Sequence, residues 1–235
     1  MYYRRKFVLG LIERSGGELN KTRLQKLLLL ASRGMDKKPY DFIPYQYGCY
    51  SFTANYDLGA LIKHGLIEEE HKNSGSSWKY VGQHSYFQDL KLEDRQRISS
   101  VVSEFGNFSN ENLIRHTYTK FPFWATKSTI AEKILTKQEL EKVNSQKKVF
   151  HNEELFTIGY EGISLETYIN KLIVNDIRVL CDVRKNPLSM KYGFSKSQLK
   201  HACEGVGIRY EHIPQLGIIS DKRQELNNLS DYNKL

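Results

Sequence analysis

Val179-Leu180-Cys181-Asp182-Val183-Arg184-Lys185-Asn186-Pro187-Leu188-Ser189 is the stretch whose reading decides the fold of the C-terminal part of the chain. A short apolar run that ends in an acid and a polar, proline-broken loop is the signature of a buried strand feeding a strand-end loop. Upstream, Leu155-Phe156-Thr157-Ile158 reads as an earlier strand ending at Gly159, and Leu165 to about Asn175 as the helix between the two. Downstream, Lys196 to Cys203 reads as a second helix, and Ile208 to Ile213 as a third strand. Strand, helix, strand, helix, strand predicts a parallel sheet with right-handed crossovers, Rossmann-like in kind.

In such sheets ligands sit beyond the carboxyl ends of the strands. The residues that fall there are Gly159, Tyr160 and Glu161 after the first strand, and Asp182, Arg184, Pro187, Ser189 and Lys191 after the second. After the third come His212, Gln215 and Gly217. An acid, a guanidinium, a hydroxyl and a lysine beside glycines suit an anionic, nucleotide-like ligand. The plainer reading is an Asp182–Arg184 pair that orders the loop. No Ser-His-Asp set, two-metal carboxylate cluster or P-loop lysine is visible, so the sequence names no catalytic residue, reaction or cofactor.

The N-terminal part has a different pattern. Phe7, Val8, Leu11 and Ile12 predict a helix over about Tyr3–Arg14, stopped by Gly16-Gly17. Asn20 is a natural N-cap for a helix from Lys21 to about Ser32, with Leu24, Leu27, Leu28 and Ala31 inward and Arg23 and Lys26 on the other side. A third helix spans about Ala54–His64, and the strand-like runs around Asn73-Ser74-Gly75-Ser76-Ser77 form a hairpin. Three helices and a hairpin predict a mostly α, winged helix-turn-helix-like domain over residues 1–90. The aromatic loop from Tyr40 to Phe52 is either a stacking surface for unpaired bases or a loop packed over the helices. The packed reading is preferred, since rings serve cores more often than ligands. Residues 91–150 read as a helical extension and linker: helices over 93–105, 110–120 and about Lys127–Leu135, then a lysine-rich charged segment. The second domain occupies 154–235.

Charge divides the chain the same way. Residues 1–150 hold 24 Lys and Arg against 16 Asp and Glu, a net +8, whereas residues 151–235 hold 11 of each. A basic excess confined to one region suits a phosphate backbone, whose neutralisation releases counterions. Double-stranded DNA is the expected partner, with Arg23, Lys26, Lys63, Lys72 and Lys79 as expected backbone contacts; the plainer reading of the charge is a solvated basic surface with no partner. Cys49, Cys181 and Cys203 form no CxxC pair, which argues against a disulfide framework or structural zinc. No apolar run is long enough to span a bilayer and no signal-peptide pattern follows the basic N-terminus, which gives a cytoplasmic expectation.

Thr157-Ile158-Gly159-Tyr160-Glu161-Gly162, Asp182-Val183-Arg184-Lys185-Asn186-Pro187-Leu188-Ser189, Lys191-Tyr192-Gly193-Phe194-Ser195-Lys196 and Gly207-Ile208-Arg209-Tyr210 with Leu216-Gly217 together resemble the domain-of-unknown-function family DUF488. The resemblance covers about residues 154–235 and implies the α/β fold, with a core role for Cys181. It implies little about activity beyond an association with DNA repair or mobile-element defence. An interaction module of a toxin–antitoxin or defence complex, without DNA binding, is the alternative. Two departures from the family stand out. Met190 follows Ser189 where an arginine is common, and the family's later strand and Cys-His-Arg motif are not found before Leu235. A truncated, marginally stable α/β unit, open to self-association through its sheet edge, is the corresponding expectation.

Overall fold

The computed structural model describes residues 1–72 and 75–218, with the side chain of Lys72 outside the description. The architecture is mixed α/β with small sheets. In the N-terminal part the order is α1 (Tyr3–Arg14), β1 (Glu18–Asn20), α2 (Lys21–Ser32), the hairpin β2 (Ile43–Tyr45) and β3 (Gly48–Tyr50), α3 (Phe52–Lys63), then β4 (Ile67–Lys72) and β5 (Gly75–Tyr80). β5 lies between β1 and β4 in an antiparallel sheet, with Leu19 opposite Trp78 and Ile67 opposite Tyr80.

Local chemistry explains the boundaries. Asn20 caps α2 by accepting from the Thr22 amide, as expected. Ser51 caps α3 by accepting from the Ala54 amide, so this helix begins two residues earlier than the sequence pattern suggested. Phe7, Val8, Leu11, Ile12, Leu24, Leu27, Leu28, Leu58 and Leu61 form one core. Asp57 of α3 is fully buried, and Arg4, Arg5 and the Tyr40 hydroxyl all donate to it. Those three partners offset the cost of burying its charge.

The aromatic segment is a packed element. Tyr40, Phe42, Ile43, Cys49 and Phe52 are buried, while Tyr47 projects into solvent. The hairpin also corrects the expected orientation of Lys26. β3 covers that side of α2, so Lys26 is 1% exposed. Its ammonium donates to the carbonyls of Tyr47 and Cys49.

The extension consists of α4 (Leu92–Phe105), α5 (Asn110–Lys120), a 3-10 turn at Pro122–Ala125, α6 (Ala131–Ile134) and α7 (Lys137–Asn144). A satellite core joins Ile114, Tyr118, Ala125, Ala131, Leu135 and Val143. The helix expected from Lys127 shrinks to α6. The Thr129 amide and hydroxyl bond instead to the Gln46 carbonyl, and Ser128 Oγ accepts from the Ile130 amide. The charged segment is helical in part: Thr136 and Glu139 form a reciprocal capping box at the start of α7.

In the C-terminal part, α8 (Leu165–Val174), β6 (Val179–Asp182), α9 (Lys196–Glu204) and β7 (Arg209–His212) form a βαβ unit preceded by a helix. β6 and β7 are parallel, with Val179 opposite Arg209 and Asp182 opposite His212. The strand expected at Leu155–Ile158 does not form. This run has no ladder partner among the described residues, and Leu155 is 95% exposed. A four-residue apolar run is a strand only when a neighbour accepts its backbone bonds. The reading of Val179–Val183 as a wholly buried strand is likewise corrected. α8 and α9 both pack on the face bearing Leu180 and Tyr210, which leaves Val179, Cys181 and Val183 exposed. Cys181 is therefore a surface residue rather than a core one.

The C-terminal core is not self-contained. Ile43 of β2 and Phe52 of α3 are members of the same cluster as Leu165, Ile169, Leu180, Phe194 and Leu199, with Tyr45 and Tyr50 packed against it. The β2–β3 hairpin and the start of α3 thus form the surface on which the α/β unit is built.

Candidate functional site

Where β6 ends, Asp182 turns inward on the same face as Leu180, as the period of two requires. Its carboxylate accepts from the Arg184 amide at 3.1 Å, Arg184 Nε at 2.8 Å, Arg184 NH2 at 2.6 Å and the Tyr210 hydroxyl at 2.6 Å. Burial opposes its charge, but the Arg184 and Tyr210 donors together hold the carboxyl below its ordinary value. The same bonds hold Arg184 more firmly protonated, and burial followed by the Asp182 charge pushes the Tyr210 phenol up.

Around this pair the loop is closely tied. The Arg184 guanidinium lies 5.3 Å from the centre of the Tyr160 ring, and Tyr160 stacks on Phe194 at 4.7 Å. Lys191 Nζ donates to the Tyr160 carbonyl at 2.6 Å and sits 5.2 Å from the Phe194 ring centre. His212 bridges two elements: one ring nitrogen meets the Arg184 carbonyl at 2.9 Å and the other meets Lys196 Nζ at 3.2 Å. Ser189 Oγ accepts from the Lys191 amide, and Ser195 Oγ accepts from the Ser189 amide. The Gly217 backbone closes against Val183; a Cβ there would lie 1.8 Å from the Val183 carbonyl oxygen.

Of the residues expected at the strand ends, Tyr160, Asp182, Arg184 and Lys191 come together. Ser189 and Pro187 lie on the same loop, where the Pro187 carbonyl accepts from the Lys196 amide. Gly159 and Glu161 are exposed, and no atom lies within 4 Å of where a Gly159 side chain would project. Tyr210, absent from the sequence-derived set, is a fourth hydrogen bond on Asp182. Its signal was the period of two: Ile208 and Tyr210 are buried on alternate positions leading into and along β7. Four hydrogen bonds from Arg184 and Tyr210 engage the Asp182 carboxylate. An open cleft of about 360 Å³ is lined by Tyr56, Ser189, Met190, Tyr192, Ser195, Ser197 and Gln198, so it shares only Ser189 and Ser195 with the loop's hydrogen bonds and does not include Asp182 or Arg184. Among the described residues no three His, Cys, Asp or Glu side chains cluster as metal ligands would.

The expected DNA contacts fare differently. Lys26 is buried, and burial lowers its pKa, so it is not a backbone contact. Arg23 spends its guanidinium on the carbonyls at and just beyond the end of α4, donating to Phe105 and Phe108 at 2.7 Å each and to Gly106 at 2.6 Å. Lys79 pairs with Glu70 at 2.9 Å across the β4–β5 hairpin. Lys63 is exposed at the end of α3, and the side chain of Lys72 lies outside the described residues.

At the junction of the two parts, Glu166 of α8 is fully buried. Its carboxylate accepts from Ser51 Oγ at 3.1 Å, the Thr53 amide at 2.7 Å and Thr53 Oγ1 at 3.1 Å. Burial outweighs these bonds and raises its pKa. Nothing local in the sequence marked this residue, because its partners lie over a hundred positions away.

The fold and the strand-end loop define a mixed α/β protein with a parallel strand pair and an ion-paired loop at its carboxyl end. Residues 164–235 match the family model described as the domain of unknown function DUF488. The match begins at the N-cap of α8, so the Thr157–Gly162 motif lies outside it. No curated protein matches the chain. No helix among the described residues is long and apolar enough to cross a membrane.

Proposed function

We propose that this protein associates with duplex DNA through phosphate contacts of its basic N-terminal part, a winged helix, and carries an α/β unit whose strand-end loop receives an anionic, nucleotide-like group. The observation that carries the reading is where the charge falls on the folded chain. Residues 1–66 hold 11 Lys and Arg against 5 Asp and Glu, and residues 91–150 hold 11 against 7. Residues 67–90, which include the hairpin, hold 2 against 4. The acidic hairpin, with Glu68, Glu69 and Glu70, is a poor phosphate contact. Exposed Lys37, Lys38, Lys63, Lys120, Lys133 and Lys137 are better ones. The order α1, β1, α2, α3, β4, β5 supports the winged-helix reading, although residues 33–51 replace the usual short turn between its second and third helices.

The covered end of α3 favours binding that depends little on base sequence. For the α/β unit, Lys191, Lys196 and Ser195 are the strand-end groups closest to an anion's needs, since Asp182 already neutralises Arg184. Salt-dependent retardation of random duplex by the full chain tests the DNA reading; no retardation at low salt overturns it.

One observation favours a second reading. Val179 at 37%, Val183 at 38%, Leu216 at 69% and Leu155 at 95% exposure give the C-terminal part solvent-facing apolar surface that a protein partner would cover. In that reading the chain is an interaction module of a toxin–antitoxin or defence complex, and its basic charge has no DNA role.

A further inference from the structure

The third helix of a winged helix enters the major groove with its N-terminal residues toward the bases. In this protein that end of α3 is occupied. Ser51 Oγ, the Thr53 amide and Thr53 Oγ1 all point their protons at the Glu166 carboxylate. The Tyr192 hydroxyl donates to the Phe52 carbonyl at 3.0 Å, and the Tyr56 and Tyr192 rings meet at 4.3 Å. Phe52 and Ile43 are sunk into the core between α8 and α9. An amide and hydroxyls at a helix N-terminus are the donors that a nucleic-acid phosphate takes. A carboxylate with two oxygens on the same donors is its intramolecular equivalent.

We propose that α8, through Glu166, is a built-in competitor for the groove-facing end of α3, so that the closed arrangement is the DNA-off state of that helix and duplex DNA reaches it only when α8 comes away. The inference rests on the winged-helix reading of the N-terminal part. It goes beyond that reading by assigning the α/β unit a control function: whatever shifts α8, including a ligand bound at the strand-end loop on the same unit, changes DNA affinity by changing the open population. The raised pKa of Glu166 agrees with a carboxylate held at a cost to its charge.

The test uses the full chain and two readouts. Amide hydrogen exchange over residues 51–58 reports whether α3 is covered, and fluorescence anisotropy with labelled random duplex reports affinity. Glu166→Ala is expected to speed exchange over 51–58 and to tighten duplex binding at least about tenfold. If Glu166→Ala stays covered by exchange, Ile169→Asp, which drives a charge into a fully buried position of α8, is read in its place. An uncovered variant that binds no more tightly than a wild-type chain that itself binds overturns the competitor while leaving the DNA reading intact. Failure of both the wild type and an uncovered variant to bind overturns the DNA reading and the proposal with it.

Discussion

Ile43→Ala should damage a part of the protein that lies more than a hundred residues away in sequence. Ile43 sits in the N-terminal hairpin, is fully buried, and belongs to the cluster formed by Leu165, Ile169, Leu180, Phe194 and Leu199. Removing three carbons from a site with no exposure costs the transfer energy of those carbons plus the cavity left behind, about 2–5 kcal/mol for such truncations. The cavity opens against α8, whose rigid neighbours on β6 and α9 limit collapse. The loss should therefore appear first as opening of the C-terminal part. Hydrogen exchange reads this directly: amides of α8 and α9 should lose protection while those of α1 and α2 keep theirs. If protection in α8 and α9 is unchanged, or is lost equally in α1, the shared core is not what holds the α/β unit.

Other outcomes follow from the same contacts. Asp182→Asn leaves the Arg184 guanidinium, whose side chain is 15% exposed, without its counter-charge, and should cost about 3 kcal/mol in urea unfolding. Lys26→Met should change duplex affinity less than about twofold, because the ammonium is buried, while lowering stability by about 1–3 kcal/mol through the bonds lost by the Tyr47 and Cys49 carbonyls. The two buried carboxylates pull stability in opposite directions with pH. Asp182, depressed below 3.8, stabilises the fold above that value and loses its contribution as pH falls through its folded pKa. Glu166, raised above 4.5, binds its proton more readily when folded, so its contribution grows as pH falls from its folded pKa toward 4.5. Urea midpoints of the wild type and Glu166→Gln measured across this window should converge toward the acid end, and parallel curves would refute the assignment.

The N-terminal helices, the antiparallel hairpin and the α8–β6–α9–β7 run were legible because each carries its own signal: Asn20 as a cap, helical spacing in α2, a Ser/Gly turn, apolar runs ending in loops. The strand-end loop was legible for the same reason, since Asp182 and Arg184 lie two residues apart. What the sequence hid depends on distant partners. Leu155–Ile158 looks like a strand until its missing neighbour is considered. Lys26 looks solvent-facing until β3 is laid over α2, and Arg23 until the end of α4 arrives beside it. Glu166 looks like an ordinary first-turn acid until α3 is placed against α8. The aromatic segment was correctly read as packed, but what it packs against is a second core, which no local pattern records.

Phosphate contacts of the basic N-terminal part with duplex DNA are the central proposal for this protein. Anisotropy titration of the full chain against several unrelated duplexes, repeated from about 50 to 200 mM salt, tests this directly. Binding to all of them with similar affinity is expected, with a log–log salt slope of about −3 or steeper for several neutralised phosphates. A flat salt response, or no binding at the lowest salt, would contradict it.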